Sequence, residues 1–93
     1  MSGVLENELK ALRRDLAIGF QETNPTEQFR TTMILGTILL DLLTGQINEA
    51  QDLEERRRLI REFKKGKGIL EKGIQMLRKQ AEQFGKINAN PEN

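Results

Sequence analysis

The sequence predicts an all-α protein, in which a helical hairpin and a long C-terminal helix form a homodimeric helical bundle. Apolar residues recur every three or four positions along most of the chain, which is the spacing of an amphipathic helix. Helix-favouring residues are abundant, and only two prolines occur. The 93 residues, 37% of them hydrophobic, support one small domain that buries little surface alone. We therefore expect one domain over residues 1–85, a core shared between copies, and a disordered tail over residues 86–93.

The first helix is predicted over about residues 2–21, with apolar residues at intervals of four, three, four and four. These residues are Leu5, Leu9, Leu12, Leu16 and Phe20. The turn that follows contains a capping box: Asn24 can cap a helix, Pro25 occupies its first position, and Glu27 lies three residues after the cap. We expect the second helix to begin there.

The second helix is predicted over about residues 25–44, with Gly45 as its C-terminal stop. Its apolar residues nearly encircle it: Phe29, Met33, Ile34, Leu35, Ile38, Leu39, Leu40, Leu42 and Leu43. A helix that is apolar on most sides needs neighbours on most sides. We therefore expect this helix to lie at the centre of an oligomer.

The third helix is predicted from about Glu49 to Phe84, with Asn48 as its cap. A heptad register begins at Leu53 and passes through Gly66–Gly68 without a phase shift. Its a positions are Leu53, Ile60, Lys67, Ile74 and Ala81, and its d positions are Arg56, Phe63, Leu70, Leu77 and Phe84. The intact register favours one continuous helix. The alternative is a turn at Gly66–Gly68, which would give a monomeric up-down four-helix bundle.

The apolar positions of the last two helices define the expected oligomer core. Its residues are Phe29, Met33, Leu39, Leu43, Ile60, Phe63, Leu70, Ile74 and Leu77. Gly66 and Gly73 share one register position beside Leu59. Without side chains there, a second helix can approach the backbone closely, which offsets the cost of about 1 kcal/mol for each glycine inside a helix.

Charge is distributed unevenly along the chain. The whole sequence carries a formal charge of only +1, yet residues 56–79 contain ten basic and two acidic residues. The heptad register places most of these basic residues on the side opposite the apolar seam. The expected nucleic-acid-binding residues are Arg57, Arg58, Arg61, Lys64, Lys65, Lys72, Arg78 and Lys79. The plainer interpretation is an ordinary solvated helix face, but such a face usually mixes both signs of charge.

The residue types on this face indicate how it would bind. Lys and Arg accompanied by few Asn or Gln contact phosphates rather than base edges. Four Phe without Tyr or Trp give no platform for stacking single-stranded bases. The predicted ligand is therefore duplex nucleic acid, RNA or DNA, recognised without sequence specificity. The alternative function is a protein-protein adaptor, chaperone or assembly subunit. The second helix is more apolar than a small monomer can cover, so another protein could bind its remaining apolar surface.

Several classes of chemistry are not expected. The chain has no His and no Cys, so the commonest general base, the thiolate nucleophile and the usual transition-metal ligands are missing. We expect no enzymatic activity, no cofactor, no metal site and no small-molecule substrate. The longest apolar run, residues 33–43, is too short to span a bilayer and contains Asp41. With no signal peptide at the N-terminus, we expect an intracellular, cytoplasmic protein without a membrane partner.

Overall fold

The computed structural model describes the backbone of residues 2–89 and the side chains of residues 3–85. Within that range the chain is all-α, with three helices and no strand: α1 (Ser2–Glu22), α2 (Glu27–Glu49) and α3 (Leu53–Ala89). Every pair of these helices is in contact. The predicted all-α helical fold is confirmed. α3 runs through Gly66–Gly68 without interruption, so the turn that the four-helix alternative required does not form.

The predicted start of α2 is wrong by two residues. Thr26, with extended backbone angles, is the N-cap, and its Oγ1 accepts a hydrogen bond of 3.1 Å from the N–H of Phe29. Asn24 and Pro25 therefore lie in the connecting loop. The sequence offers two capping side chains two residues apart, and the second of them caps the helix.

The predicted end of α2 is also wrong. The helix continues through Gly45 to Glu49, and Ala50 closes it by donating its N–H to the carbonyl of Gln46. The extra turn buries Ile47 against the core, which favours helix there more strongly than Gly45 disfavours it. Asn48, expected to cap the third helix, is consequently part of α2.

One chain has its own hydrophobic core, which lies between the three helices. Its buried residues are Leu9, Leu12 and Leu16 of α1, Met33, Leu40 and Ile47 of α2, and Leu59, Phe63, Leu70, Ile74 and Leu77 of α3. Phe63 and Leu77 are the largest side chains that are fully enclosed. A second copy is therefore not needed to complete this core.

The heptad seam predicted for α3 holds only in the middle of the helix. Leu53 and Phe84, at its ends, are exposed, whereas Leu59, outside the predicted a and d positions, is buried. α3 has 37 residues and its neighbours have 21 and 23, so the ends of α3 extend past the surface that could cover them. Arg56, at a predicted core position, instead donates a hydrogen bond of 2.8 Å to the carbonyl of Ala50.

Glycines allow the helices to approach one another closely, as the sequence predicts for Gly66 and Gly73. A Cβ built at Gly66 would lie 2.8 Å from Leu40 Cδ2, and one at Gly73 would lie 2.6 Å from Met33 Sδ. The neighbouring helix is α2 of the same chain. α3 also includes Lys86–Ala89 of the segment expected to be a disordered tail, and residues 90–93 lie outside the described range.

Candidate nucleic-acid interface

Most basic residues of α3 lie on the side of the helix that faces away from α1 and α2. Phe63, on the opposite side, is fully buried, while all eight predicted binding residues are exposed. Because α3 is one unbroken helix, its rise of 1.5 Å per residue spreads the residues from Arg57 to Lys79 over about 33 Å. The structure therefore aligns these charges along one rigid element.

Three of the eight basic residues have carboxylate partners. Arg58 lies 3.8 Å from Glu55, and Lys65 lies 3.8 Å from Glu62, both on the same helix. Arg78 lies 3.4 Å from Asp15 of α1. Arg78 is thereby directed toward the groove between α1 and α3, at the edge of the basic face.

The other five basic residues have no carboxylate within 4.0 Å among the side chains of residues 3–85. We call these five the basic stripe: Arg57, Arg61, Lys64, Lys72 and Lys79. Lys67, the remaining lysine of the segment, is drawn to the other side of α3, where its Nζ lies 3.3 Å from Glu8 Oε1. Partner carboxylates thus leave five cations free on one face.

One acidic residue lies within the length of the stripe, and others lie at its N-terminal end. Glu71 is exposed and shares the helix position of Lys64, one heptad further along, at the edge where it lines the groove between α1 and α3 together with Glu8 and Asp15. Glu54 and Glu55 lie in the first turn of α3, where negative charge interacts favourably with the helix dipole. The stripe is therefore bounded by acids at its N-terminal end and interrupted by Glu71 on its α1 side.

A glycine interrupts the row of long side chains in the middle of the stripe. Gly68 lies four residues after Lys64 and four before Lys72, and a Cβ built there would meet no atom within 4 Å. A ligand can therefore approach the helix backbone at this point more closely than elsewhere on the stripe. The flanking lysines can reach it from both sides.

The residues predicted to form an oligomer core are mostly enclosed by their own chain. Met33, Phe63, Leu70, Ile74 and Leu77 are buried, and Phe29, Leu43 and Ile60 pack against that core. Leu39 differs, since it is 61% exposed. Among the nine, only Leu39 presents most of its surface to another molecule.

Sequence reasoning did not identify which apolar residues remain uncovered. Besides Val4, Ile18, Leu53 and Phe84, these are the outward-facing residues of α2 and two residues of α3: Ile34, Leu35, Ile38, Leu39, Leu42, Ile69 and Met76. Part of this surface is an open apolar groove between α2 and α3, with a volume of about 580 Å³. The encircling apolar pattern of α2 was the available signal, but it could not distinguish the inner face from the outer one.

Comparisons with protein-family models, with curated proteins and with solved structures found no match to this chain. No described helix is long and apolar enough to cross a bilayer. Within the described residues, no three carboxylates converge as they would around a metal ion. The basic stripe and the exposed apolar surface of α2 are therefore the two candidate binding surfaces of the described residues.

Proposed function

We propose that this protein is a non-enzymatic, intracellular protein that binds duplex nucleic acid, RNA or DNA, without sequence specificity through the outer face of α3. The observation that carries the proposal is the basic stripe, five cations without carboxylate partners on one straight helix. Its length of about 33 Å is close to one turn of duplex DNA, about 34 Å. Several phosphates can therefore be contacted at once, with release of their counterions.

The five cations also give the size of the expected salt effect. Each phosphate contact contributes about −0.9 to the slope of log affinity against log salt concentration, so five contacts give a slope of about −4.5. Between 50 and 200 mM salt, the affinity should then fall by roughly 500-fold. Arg58, Lys65 and Arg78 would add little, because their carboxylate partners already offset their charge.

The test is fluorescence anisotropy with generic 25-base-pair duplexes of DNA and RNA at several salt concentrations. Two duplexes of unrelated sequence should bind with similar affinity. Arg61→Glu combined with Lys72→Glu should abolish binding at 50 mM salt. The matched control, Lys10→Glu combined with Arg14→Glu, makes the same change in net charge on the exposed side of α1 and should retain most of the binding.

Three results would contradict the proposal. The first is no binding at 50 mM salt, and the second is binding that does not weaken as salt increases. The third is an equal loss of binding in both charge-reversal variants, which would show dependence on overall charge alone. Since all four substituted residues are exposed, circular dichroism should show unchanged helicity in both variants.

A protein ligand is the second candidate, and the exposed apolar surface of α2 is the observation that favours it. An adaptor or assembly subunit would place an amphipathic helix of its partner in the groove between α2 and α3. This candidate and a second copy of the chain compete for the same surface. The solution mass of the purified protein distinguishes them.

A further inference from the structure

α2 carries two apolar seams on opposite sides, and only one of them is used within the chain. The inner seam is buried and consists of Met33, Thr37, Leu40, Thr44 and Ile47. The outer seam consists of Thr31, Leu35, Ile38, Leu42 and Gly45, and it is exposed. Both follow intervals of four, three, four and three, the heptad spacing by which one helix packs along another.

The two seams contain equal numbers of large apolar residues, three each. The inner seam also contains two threonines, whose hydroxyls donate hydrogen bonds of 2.7 and 2.6 Å to the carbonyls of Ile34 and Asp41 of the same helix. The outer seam has its large aliphatic residues at the three central positions, and each is about half exposed to solvent. An exposed face as apolar as the buried one indicates that something covers it.

The outer surface of α2 also carries little charge. Between Thr31 and Gln46, Asp41 is the one charged residue of the helix. Asp41 lies at the flank, where its carboxylate is 4.0 Å from Arg13 of α1. The uncharged ridge of about 16 residues is therefore about 24 Å long, which suits packing against another helix of the length of α2.

The apolar area available is comparable to what a dimer needs. Full burial of a Leu or Ile side chain removes about 60–120 Å² from water, so the seven exposed residues of α2 and α3, each about half exposed, offer roughly 200–400 Å². Apolar area makes up about 60% of a typical interface, which implies roughly 700–1,400 Å² in total for two copies. A specific interface needs about 1,000 Å².

We propose that a second copy of this chain covers this surface, with the outer seam of α2 packed against the outer seam of its partner. A two-fold contact requires one surface to supply both the inserted side chains and the holes that receive them, and a heptad seam does both. Gly45, where a Cβ would meet no atom within 4 Å, leaves room for the partner helix at one end. The dimer does not depend on nucleic-acid binding.

Light scattering coupled to size exclusion is the first test. The wild-type chain should have about twice its 10.7 kDa mass. Leu35→Glu combined with Leu42→Glu should raise the dissociation constant by at least about a hundredfold, because each dimer would then bury four carboxylates. Ile18→Glu, on an exposed aliphatic residue of α1, is the matched control and should remain dimeric. A wild-type monomer at about 0.1 mM, or a dimer that persists in the double variant, would overturn the proposal.

A second test does not rely on destabilising the contact. The chain contains no cysteine, so Ile38→Cys introduces a single thiol at the centre of the outer seam. In a parallel pair the central residue lies opposite its own copy, and in an antiparallel pair it does so when the two seams overlap over their full length. Mild oxidation should give a covalent dimer for Ile38→Cys and little for Ile18→Cys. Equal cross-linking of the two variants would show that the seam is not the contact.

Discussion

The sharpest test of the fold compares two glycines for which helix propensity alone predicts the same effect. Gly19 and Gly68 both lie inside helices, and alanine at either position should gain up to about 1 kcal/mol from helix propensity. A Cβ at Gly68 would meet no atom within 4 Å, whereas one at Gly19 would lie 2.9 Å from Leu77 Cδ1 and 3.1 Å from Leu77 Cβ. The structure therefore predicts opposite effects.

The contact with Leu77 Cβ decides the sign at Gly19. A side-chain tip can rotate away from a new methyl group, but a Cβ moves only with its backbone, and Leu77 is 1% exposed in the core. α1 and α3 would have to separate by a few tenths of an ångström. Overpacking of this kind costs typically 1–3 kcal/mol. We expect Gly68→Ala to stabilise by about 1 kcal/mol and Gly19→Ala to be neutral or to destabilise by up to about 2 kcal/mol.

Urea unfolding followed by circular dichroism at 222 nm measures both effects. All variants should be compared at one protein concentration, because dimerisation would make stability depend on concentration. If Gly19→Ala stabilises the protein as much as Gly68→Ala does, α1 and α3 do not approach each other closely at Leu77. If Gly68→Ala destabilises, α3 is not a regular helix at that position.

Two further predictions test the core and the start of α2. Phe63→Ala should destabilise by about 3–5 kcal/mol because this ring is fully buried. Phe84→Ala, at a position 48% exposed, should cost less than about 1 kcal/mol. If the two variants lose similar stability in urea unfolding, the placement of α3 is contradicted. Thr26→Ala should cost about 1 kcal/mol through loss of the cap, whereas Asn24→Ala should cost only a few tenths. If Asn24→Ala lowers the melting temperature more than Thr26→Ala does, Asn24 is the cap, as the sequence predicted.

The two functional proposals can fail separately. Anisotropy with duplexes tests the basic stripe and light scattering tests the outer seam, and the substituted residues lie on different helices. A dimer that binds no duplex would support the dimer proposal and contradict the nucleic-acid proposal. A monomer that binds duplex with the expected salt dependence would do the opposite, and would favour a protein ligand for the exposed surface of α2.

Local features were predictable because they depend on residues close together in the sequence. Helical periodicity identified three helices, and the unbroken register through Gly66–Gly68 identified α3 as one helix. The one-sided cluster of basic residues on α3 was also predictable, since a helix surface follows directly from residue spacing. The ends of α2 were less so: Thr26 and Asn24 are both able to cap a helix, and burial of Ile47 extends the helix past Gly45.

The orientation of α2 was decided only by the tertiary structure. A helix that is apolar on most sides has no inner face of its own, so its sequence could not show that Leu40 points inward and Leu39 outward. The contacts that set the rotation of α2 about its axis come from the other helices. Leu40 and Met33 pack against the backbone of α3 at Gly66 and Gly73, and Arg13 of α1 lies beside Asp41. Periodicity determines that a helix forms, because that requires only neighbours along the chain. Which side is buried depends on the shapes and charges of segments far away in sequence, and these meet only in the folded protein.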